Sequence, residues 1–378
     1  MGLLDYIEDR STRYFSAGKN IRDLRYFDLN FIPESIYLRE EADDIIKAVS
    51  FYLGSGLRPN LNIQGGKGSG KTTTVKFLLS SILHSQEKKG NIRKEDYQVF
   101  YVSCRSNPTS YKIYSAVTGE KVGDPNLVEA FIETLNSKKY TFLVLDEADF
   151  LRDIKPYNVF TEGKQKDADA IFTVTRNTHA FLITIAQNVQ FFDQLDPATQ
   201  SSFLPVHVIF RPYRAEELFQ IMKDRAEKGL YHYSLSIIER MAEEIAENHL
   251  GDARIAIRAL MFMGDEWLEE NAPFAIQSAV RSVVVDSIRH LNEKEIYLLS
   301  LIPDYEIKTS ELYREFTKKY KVAKATFFSM LTYLQAQGLV MLLRGRGRGG
   351  SACQLIVDPS AVRSAIEANK GHYDTYLY

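Results

Sequence analysis

The chain has 378 residues, of which 45% are hydrophobic and 25% charged, and its formal net charge is −2. This length favours two or three domains, and the composition is typical of an ordinary globular protein that is not basic throughout. No apolar run approaches the roughly 20 residues of a membrane helix, and the amino terminus lacks a signal-peptide pattern, so we expect a cytoplasmic protein with no membrane partner.

A phosphate-binding loop is the first motif along the chain. Gly65-Gly66-Lys67-Gly68-Ser69-Gly70-Lys71-Thr72 has the spacing G-x-x-x-x-G-K-[ST], and it lies between a short apolar run, Leu61–Gln64, and a helical pattern from Thr73 to Leu83. Glycines let backbone amides converge on a polyphosphate, and the helix amino terminus adds partial positive charge. Lys71 would reach the β- and γ-phosphates, and the Thr72 hydroxyl would bind Mg²⁺. The loop predicts a nucleoside triphosphate site formed by Gly66, Lys67, Gly68, Ser69, Gly70, Lys71, Thr72 and Thr73.

Apolar runs then alternate with helical patterns up to about residue 212, which indicates a parallel sheet with helices on both faces. The predicted strands are Leu61–Gln64, Gln98–Cys104, Tyr140–Leu145, Phe181–Ala186 and Val206–Phe210. The third strand runs into Asp146 and Glu147. Asp146 would hold Mg²⁺ beside Thr72, and Glu147 would orient and polarise the attacking water of an ATPase.

Two further polar residues are candidates for the same site. Asn188 follows the strand Phe181–Ala186, where its amide could hold the lytic water or sense the γ-phosphate; the alternative is a turn residue at a strand end. Arg254 begins a helix and could reach the γ-phosphate from a lid; the alternative is a solvated arginine on a surface helix.

Beyond residue 212 the predicted elements are helices, and the last ninety residues combine helices with two β runs. Amphipathic helices are predicted over Ala215–Lys228, Ser236–Asn248, Ala253–Glu269 and Pro273–Leu291, with Asp252 as an amino-terminal cap. Three more helices follow, over Asn292–Leu301, Ser310–Tyr320 and Ala323–Gln337, and then two β runs, Leu339–Leu343 and Cys353–Val357. Three helices and a hairpin describe a winged helix-turn-helix.

The charge of this end points to an anionic polymer. Between residues 308 and 348 nine Lys or Arg face only two Glu, a net charge of +7. In the third helix we expect Phe327, Phe328, Met330, Leu331 and Leu334 to be core. Lys324, Thr326, Ser329 and Thr332 would approach base edges or phosphates. Arg344, Arg346 and Arg348 alternate with glycines in the hairpin tip and could enter a minor groove; the alternative is a solvated flexible loop.

Taken together, these residues resemble an AAA+ ATPase, and more narrowly the archaeal and eukaryotic replication-initiator family of origin-recognition and cell-division-cycle-six type. The likeness covers nearly the whole chain. Its family-specific parts are Gly251-Asp252-Ala253-Arg254, the turn Arg211-Pro212-Tyr213 and the winged helix. Segments 31–34 and 38–40 are similar to the family's adenine-cupping segment, which implies nucleotide contacts from Ile32 and Arg39, and the turn into the lid implies one from Tyr213.

The resemblance implies a AAA+ domain over 1–212, a helical lid over 213–287 and a winged-helix domain over 288–378. It also implies ATP or ADP with Mg²⁺, and double-stranded origin DNA bound through the winged helix and the AAA+ domain, the latter through Lys112, Lys121 or nearby backbone amides. Paralogous initiators and the replicative helicase are the implied protein partners, at a nucleoid-associated location in the cytoplasm. Relatives often carry an arginine finger after Leu195-Asp196-Pro197, whereas no Lys or Arg occurs here from residue 188 to residue 210.

Three functions remain open at this point. The first is an initiator that hydrolyses ATP slowly. The second is a DNA-binding regulator of initiation in which retained ATP or ADP is mainly structural. The third is a remodelling or clamp-loader-like machine that acts on protein, which would not need a reader of duplex DNA.

Overall fold

A computed structural model of the chain describes residues 20–154, 165–188, 191–264, 267–289, 291–343 and 351–373. The chain divides into two compact units. The first spans residues 32–211, and the second joins the segment before residue 32 to the residues from 212 onward. The described helices include none with both the length and the apolarity that a membrane span needs.

The first unit is built on a five-stranded parallel sheet. Its strands, in chain order, are β1 Leu61–Gly65, β2 Tyr97–Ser103, β3 Tyr140–Asp146, β6 Phe181–Ala186 and β7 Val206–Phe210. All five strands predicted from the sequence are confirmed, with bounds that differ by at most one residue. Their order is β2-β3-β6-β1-β7, so the carboxyl ends of β3, β6 and β1 lie side by side. A short antiparallel pair, β4 Asp153–Ile154 and β5 Gln165–Lys166, stands outside this sheet.

Helices cover both faces of the sheet, as predicted. They span Glu40–Ser55, Lys71–Lys88, Ser110–Thr118, Leu127–Asn136, Asp169–Asn177 and Pro197–Phe203. Strand β3 shows why both faces are apolar, because Phe142 and Val144 belong to the core on one side and Leu143 and Leu145 to the core on the other. Successive side chains along a strand point to opposite faces of the sheet, which puts these four residues in two different cores. Because β3 is buried on both faces in the interior of the sheet, the position of Asp146 at its polar end is fixed.

The second unit begins with four helices, Ala215–Gly229, Leu235–Asn248, Ala253–Phe262 and Ala272–Ile288. The prediction that the third of these reaches Glu269 is wrong, since the helix ends at Phe262 and Gly264 adopts φ 70°. The segment from residue 20 to residue 31 packs on this bundle. Arg225 donates to the Tyr26 carbonyl at 2.9 Å, and Phe27 is buried in the shared core.

The carboxyl-terminal part has the element order of a winged helix. Its helices span Glu293–Ser300, Thr309–Lys319 and Lys324–Ala336, and its strands are β8 Ile307–Lys308, β9 Val340–Leu343 and β10 Ala352–Leu355. Strand β8 was missed by sequence reasoning; it completes an antiparallel sheet in the order β8-β10-β9.

A last helix, Pro359–Tyr373, was also missed by sequence reasoning. It buries Ala361, Val362, Ala365 and Ile366 in a core that runs continuously from the four-helix bundle into the winged-helix elements. The proposed domain limits at residues 212 and 287 remain predictions.

Candidate nucleotide and DNA sites

The phosphate loop connects β1 to the helix Lys71–Lys88 and contains the strand–loop–helix turn that the motif requires. Gly65 has φ 152°, and a Cβ atom there would lie 2.3 Å from the Phe210 carbonyl oxygen, so only glycine fits. Gly66, Lys67, Gly68, Ser69 and Gly70 form the loop, and Thr72 and Thr73 lie in the first helical turn. Within the described residues no side chain caps this helix. Its first N–H groups therefore point toward the place where phosphates bind.

Lys71 lies inside this loop. Its ammonium donates to the carbonyl oxygens of Gly65 and Gly66, both at 2.7 Å, and its side chain is buried. A buried ammonium held only a few ångströms below the helix amino terminus supplies fixed positive charge for a polyphosphate. Contact of Lys71 with the β- and γ-phosphates stays a prediction.

The structure brings Thr72 and Asp146 together, although 74 positions separate them in sequence. The Thr72 hydroxyl donates to Asp146 Oδ1 at 3.1 Å. Burial raises the pKa of the Asp146 carboxyl, while the Thr72 hydroxyl and the Glu147 N–H act in the opposite direction. A hydroxyl and a carboxylate beside a phosphate site are the hard oxygen donors that Mg²⁺ prefers, so these two residues fit the ion. Bound there, Mg²⁺ would neutralise charge on the phosphates.

Glu147 sits at a left-handed backbone position, φ 55°, directly after β3. Its carboxylate is held from two sides. Ser103, at the end of β2, donates to Oε2 at 2.9 Å, and Arg105 Nε lies 3.3 Å from Oε1. The Arg105 guanidinium in turn covers the Phe150 ring at 4.7 Å. Sequence reasoning did not identify Ser103 or Arg105 as partners of Glu147, because only the pairing of β2 with β3 makes them neighbours.

Asn188 is positioned by Asp149, another residue whose role sequence reasoning missed. The Asp149 carboxylate accepts from the backbone N–H of Gln187 at 2.5 Å and of Asn188 at 2.8 Å. The adjacency of β3 and β6 makes this contact possible. Asn188 therefore lies at the same sheet edge as Asp146 and Glu147, while its role as a sensor stays a prediction.

The residues predicted to surround adenine are placed differently from one another. Arg39 is buried; it donates to the Arg211 carbonyl at 2.9 Å and to the Ser69 carbonyl at 3.4 Å, and it pairs with Glu41 at 2.9 Å. It thus connects the phosphate loop to the end of β7. Ile32 is 36% exposed. Their contacts with nucleotide stay predictions.

Tyr213 and Arg254 belong to the second unit. The Tyr213 backbone packs against Gly251, where a Cβ atom would lie 2.1 Å from the Tyr213 carbonyl oxygen. Arg254 forms a two-point ion pair with Asp252, with Nε–Oδ1 3.0 Å and Nη2–Oδ2 2.5 Å. Asp252 also caps the helix through the Arg254 N–H, which confirms the predicted cap. The roles of Tyr213 and Arg254 toward nucleotide stay predictions.

The helix Lys324–Ala336 presents Lys324, Thr326 and Ser329 to solvent, and their contact with DNA stays a prediction. The prediction for its apolar residues needs one correction. Phe327, Met330, Leu331 and Leu334 are buried, but Phe328 is 36% exposed, because residue 328 falls outside the stripe that faces the core. Arg344, Arg346 and Arg348 lie outside the described residues.

No protein-family model matches the chain. It is 26% identical to the ORC1-type DNA replication protein 1 of Methanothermobacter thermautotrophicus, in an alignment covering 97% of this chain and 98% of that protein. It is 30% identical to the ORC1-type DNA replication protein 1 of Sulfurisphaera tokodaii over 68% of this chain and 65% of that protein. Among solved structures, Aeropyrum pernix ORC1 in complex with DNA superposes with a TM-score of 0.67 at 23% identity, covering 93% of this chain and 98% of that one.

The parallel sheet order, the phosphate loop and the Thr72–Asp146 pair define a P-loop protein of the AAA+ class. Its relatives over nearly the full length are ORC1-type DNA replication proteins. The chain belongs to the archaeal and eukaryotic replication-initiator family of origin-recognition and cell-division-cycle-six type, as the sequence resemblance implied.

Proposed function

We propose that the protein is an ATP-dependent initiator of DNA replication. It binds duplex origin DNA through its winged helix and its AAA+ domain, and ATP binding and slow hydrolysis switch its state. The observation that carries the proposal is the Thr72–Asp146 pair beside the phosphate loop, within a chain that aligns over 97% of its length with an ORC1-type DNA replication protein.

The nucleotide half of the proposal assigns a task to each polar group. Lys71 and the loop amides bind the phosphates, and Thr72 and Asp146 hold Mg²⁺. Glu147 orients water, with Asn188 beside it, and Arg254 reports the γ-phosphate. In support, an Aeropyrum pernix ORC2 structure of the same fold, with a TM-score of 0.60, contains ADPNP and ADP.

The DNA half assigns the duplex to the basic carboxyl-terminal elements. In support, the Aeropyrum pernix ORC1 structure of the same fold was solved with DNA. The segment 308–348 carries the net charge of +7 that a polyanion attracts. Lys112 and Lys121 are both on the surface of the AAA+ unit, in or next to the helix Ser110–Thr118, and are our candidates for a second contact.

We further propose paralogous initiators and the replicative helicase as protein partners. Methanothermobacter thermautotrophicus has both an ORC1-type DNA replication protein 1 and an ORC1-type DNA replication protein 2 that match this chain, so paralogues of this kind coexist in one organism. The proposal that the replicative helicase is a partner depends on the family resemblance alone.

The test is footprinting on genomic DNA with ATP or ADP, combined with ATP hydrolysis by the wild type and by Glu147→Gln. We expect protection of discrete duplex sites that changes with the nucleotide. Turnover in Glu147→Gln should fall about 100-fold or more while ATP binding is retained, because the loop is intact. Absence of any duplex binding at low salt would overturn the proposal and favour a machine that acts on protein.

The second candidate is a regulator of initiation that retains ATP or ADP with little turnover. The absence of Lys and Arg between residues 188 and 210 favours it, since that segment cannot supply an arginine finger to a neighbouring copy. Hydrolysis measured at rising protein concentration, with and without DNA, separates the two. A rate per molecule that stays near zero in every condition would favour the regulator.

A further inference from the structure

An aromatic side chain on the solvent side of the helix Lys324–Ala336 has no role in the core. We propose that Phe328 reads thymine, by packing its ring against the 5-methyl groups that thymine presents in the major groove. This inference rests on the proposed DNA binding and adds to it the base that the helix selects.

The packing around Phe328 holds its ring at the surface. Its neighbour Phe327 is fully buried, between Tyr313 at 5.1 Å and Phe316 at 5.7 Å, as measured between ring centroids. The Phe328 ring meets Phe327 edge to face, at 5.7 Å and 81°. Residue 328 lies about 100° around the helix from residue 327, and its side chain is 36% exposed. The ring is therefore supported from below and exposed above.

The neighbours of Phe328 on this face have short side chains. Ala325, Phe328, Ser329 and Thr332 lie on one side of the helix, at spacings of three, four and seven residues. The Ser329 hydroxyl donates to the Ala325 carbonyl at 3.1 Å, and the Thr332 hydroxyl donates to the Phe328 carbonyl at 2.9 Å. Both hydroxyl hydrogens thus point back to the helix. The methyl groups of Ala325 and Thr332 lie on the same side of the helix as the Phe328 ring.

Charge favours duplex DNA, the polyanion of the proposed function, as the occupant of this face. Exposed cations occur near it in the sequence, with Lys324 at the start of the helix, Lys321 just before it, and Arg314 and Lys319 on the preceding helix. A polyanion is the partner that such an excess of positive charge attracts. In the major groove the 5-methyl group of thymine is the apolar group presented by the natural bases, and phenylalanine is among the residues that contact it.

The experiment begins with selection from a randomised duplex library by the full chain with ATP. We expect the selected site to contain thymines at fixed positions, and Phe328→Ala to lose enrichment at one or two of them. Deoxyuridine then replaces those thymines, which removes the methyl group and keeps every hydrogen-bonding group. Wild-type affinity should fall about fourfold for each methyl group removed, as expected for one buried methylene-sized group. Phe328→Ala should bind both duplexes equally.

Two variants keep the outcome decisive. Phe328→Leu retains an apolar side chain and should keep the preference for thymine over deoxyuridine. Tyr305→Ala removes another exposed aromatic ring of the same unit, 66% exposed, and should leave selection unchanged. If the wild type binds DNA but does not distinguish thymine from deoxyuridine, the inference is overturned and DNA binding stands. If no duplex is bound at low salt, the proposed function fails as well.

Discussion

The carboxylate of Asp149 accepts a hydrogen bond from the backbone N–H of Asn188 at 2.8 Å and thereby connects the segment after β3 to the segment after β6. The Gln187 N–H donates to the same carboxylate. One side chain thus sets the path of the chain at Asn188, close to the residues that would hold Mg²⁺ and water. The position of Asn188 therefore depends on the position of the Asp149 carboxylate.

Replacing Asp149 by Ala should destabilise the protein and slow ATP hydrolysis. Two backbone N–H groups lose their acceptor, a change that costs about 1–3 kcal/mol of unfolding free energy. Since the loop itself is untouched, kcat should fall more than ATP affinity. Urea unfolding and steady-state hydrolysis measure the two effects. Asp193→Ala, which removes an exposed carboxylate, is the control, and equal effects of the two variants would contradict the assignment.

Arg105→Gln should raise ATP turnover. Arg105 lies 3.3 Å from the Glu147 carboxylate, and a fixed positive charge there restrains the side chain. We expect kcat to increase several-fold, with little change in KM. Arg93→Gln is the matched control, because Arg93 pairs with Glu95 and Asp96 at the surface. A fall in kcat would mean that Arg105 orients Glu147 for catalysis rather than restraining it.

Gly251→Ala should be strongly destabilising. Gly251 has φ 59°, and a Cβ atom would meet the Tyr213 carbonyl oxygen at 2.1 Å. The left-handed backbone alone costs an alanine about 1–2 kcal/mol, and the clash adds to it. Gly54→Ala provides the contrast, since that helical position has nothing within 4 Å of the added Cβ and should be neutral or stabilising. Thermal unfolding of both variants checks the pair; similar melting temperatures would contradict the close approach.

The three arginines of the hairpin tip should govern the salt dependence of DNA binding. Replacement of Arg344, Arg346 and Arg348 by Ala removes up to three phosphate contacts. The slope of log K against log[salt] should then flatten by up to about three units. Binding titrations over a range of NaCl concentrations measure the slope. Lys88, Lys89 and Lys139, changed together, are the control for a loss of three charges elsewhere. An unchanged slope in the arginine variant would remove the tip from the DNA site.

His249 should make the protein less stable as the pH falls. Burial lowers the pKa of its imidazole, against the opposing effect of Glu244, Asp252 and Asp358. The unfolded chain, with a histidine pKa of about 6.5, therefore binds the proton more tightly than the folded chain. The stability contributed by the neutral ring is present above that value and is lost as the pH drops through it toward the folded pKa.

The measurement is the urea midpoint of the wild type and of His249→Gln between about pH 7.5 and about pH 5.5. The wild type should lose more stability over this range than the variant. His84→Gln is the control, because it shows whether the loss of another histidine changes the pH dependence of stability in the same way. Parallel curves for the wild type and His249→Gln would show that the ring titrates as it does in the unfolded chain.

The local sequence predicted those parts of the protein whose causes are local. The phosphate loop is recognisable because its glycines, lysine and threonine act within one turn of chain. The five strands of the first sheet are recognisable because short apolar runs bounded by turns form few structures other than buried strands. The helix ending at Phe262 was overestimated, since a glycine two residues on outweighs an amphipathic pattern that continues past it.

Only the tertiary structure determined the contacts between segments that lie far apart in the sequence. Sheet order puts Ser103 beside Glu147, and Asp149 beside Asn188, and no spacing in the sequence encodes which strands are neighbours. Phe328 shows the same limit within one helix. Five apolar residues in eight predicted a buried stripe, but the packing of this helix buries Phe327 and leaves Phe328 36% exposed. Residue types thus determined the chemistry available to this protein, and packing determined which groups meet.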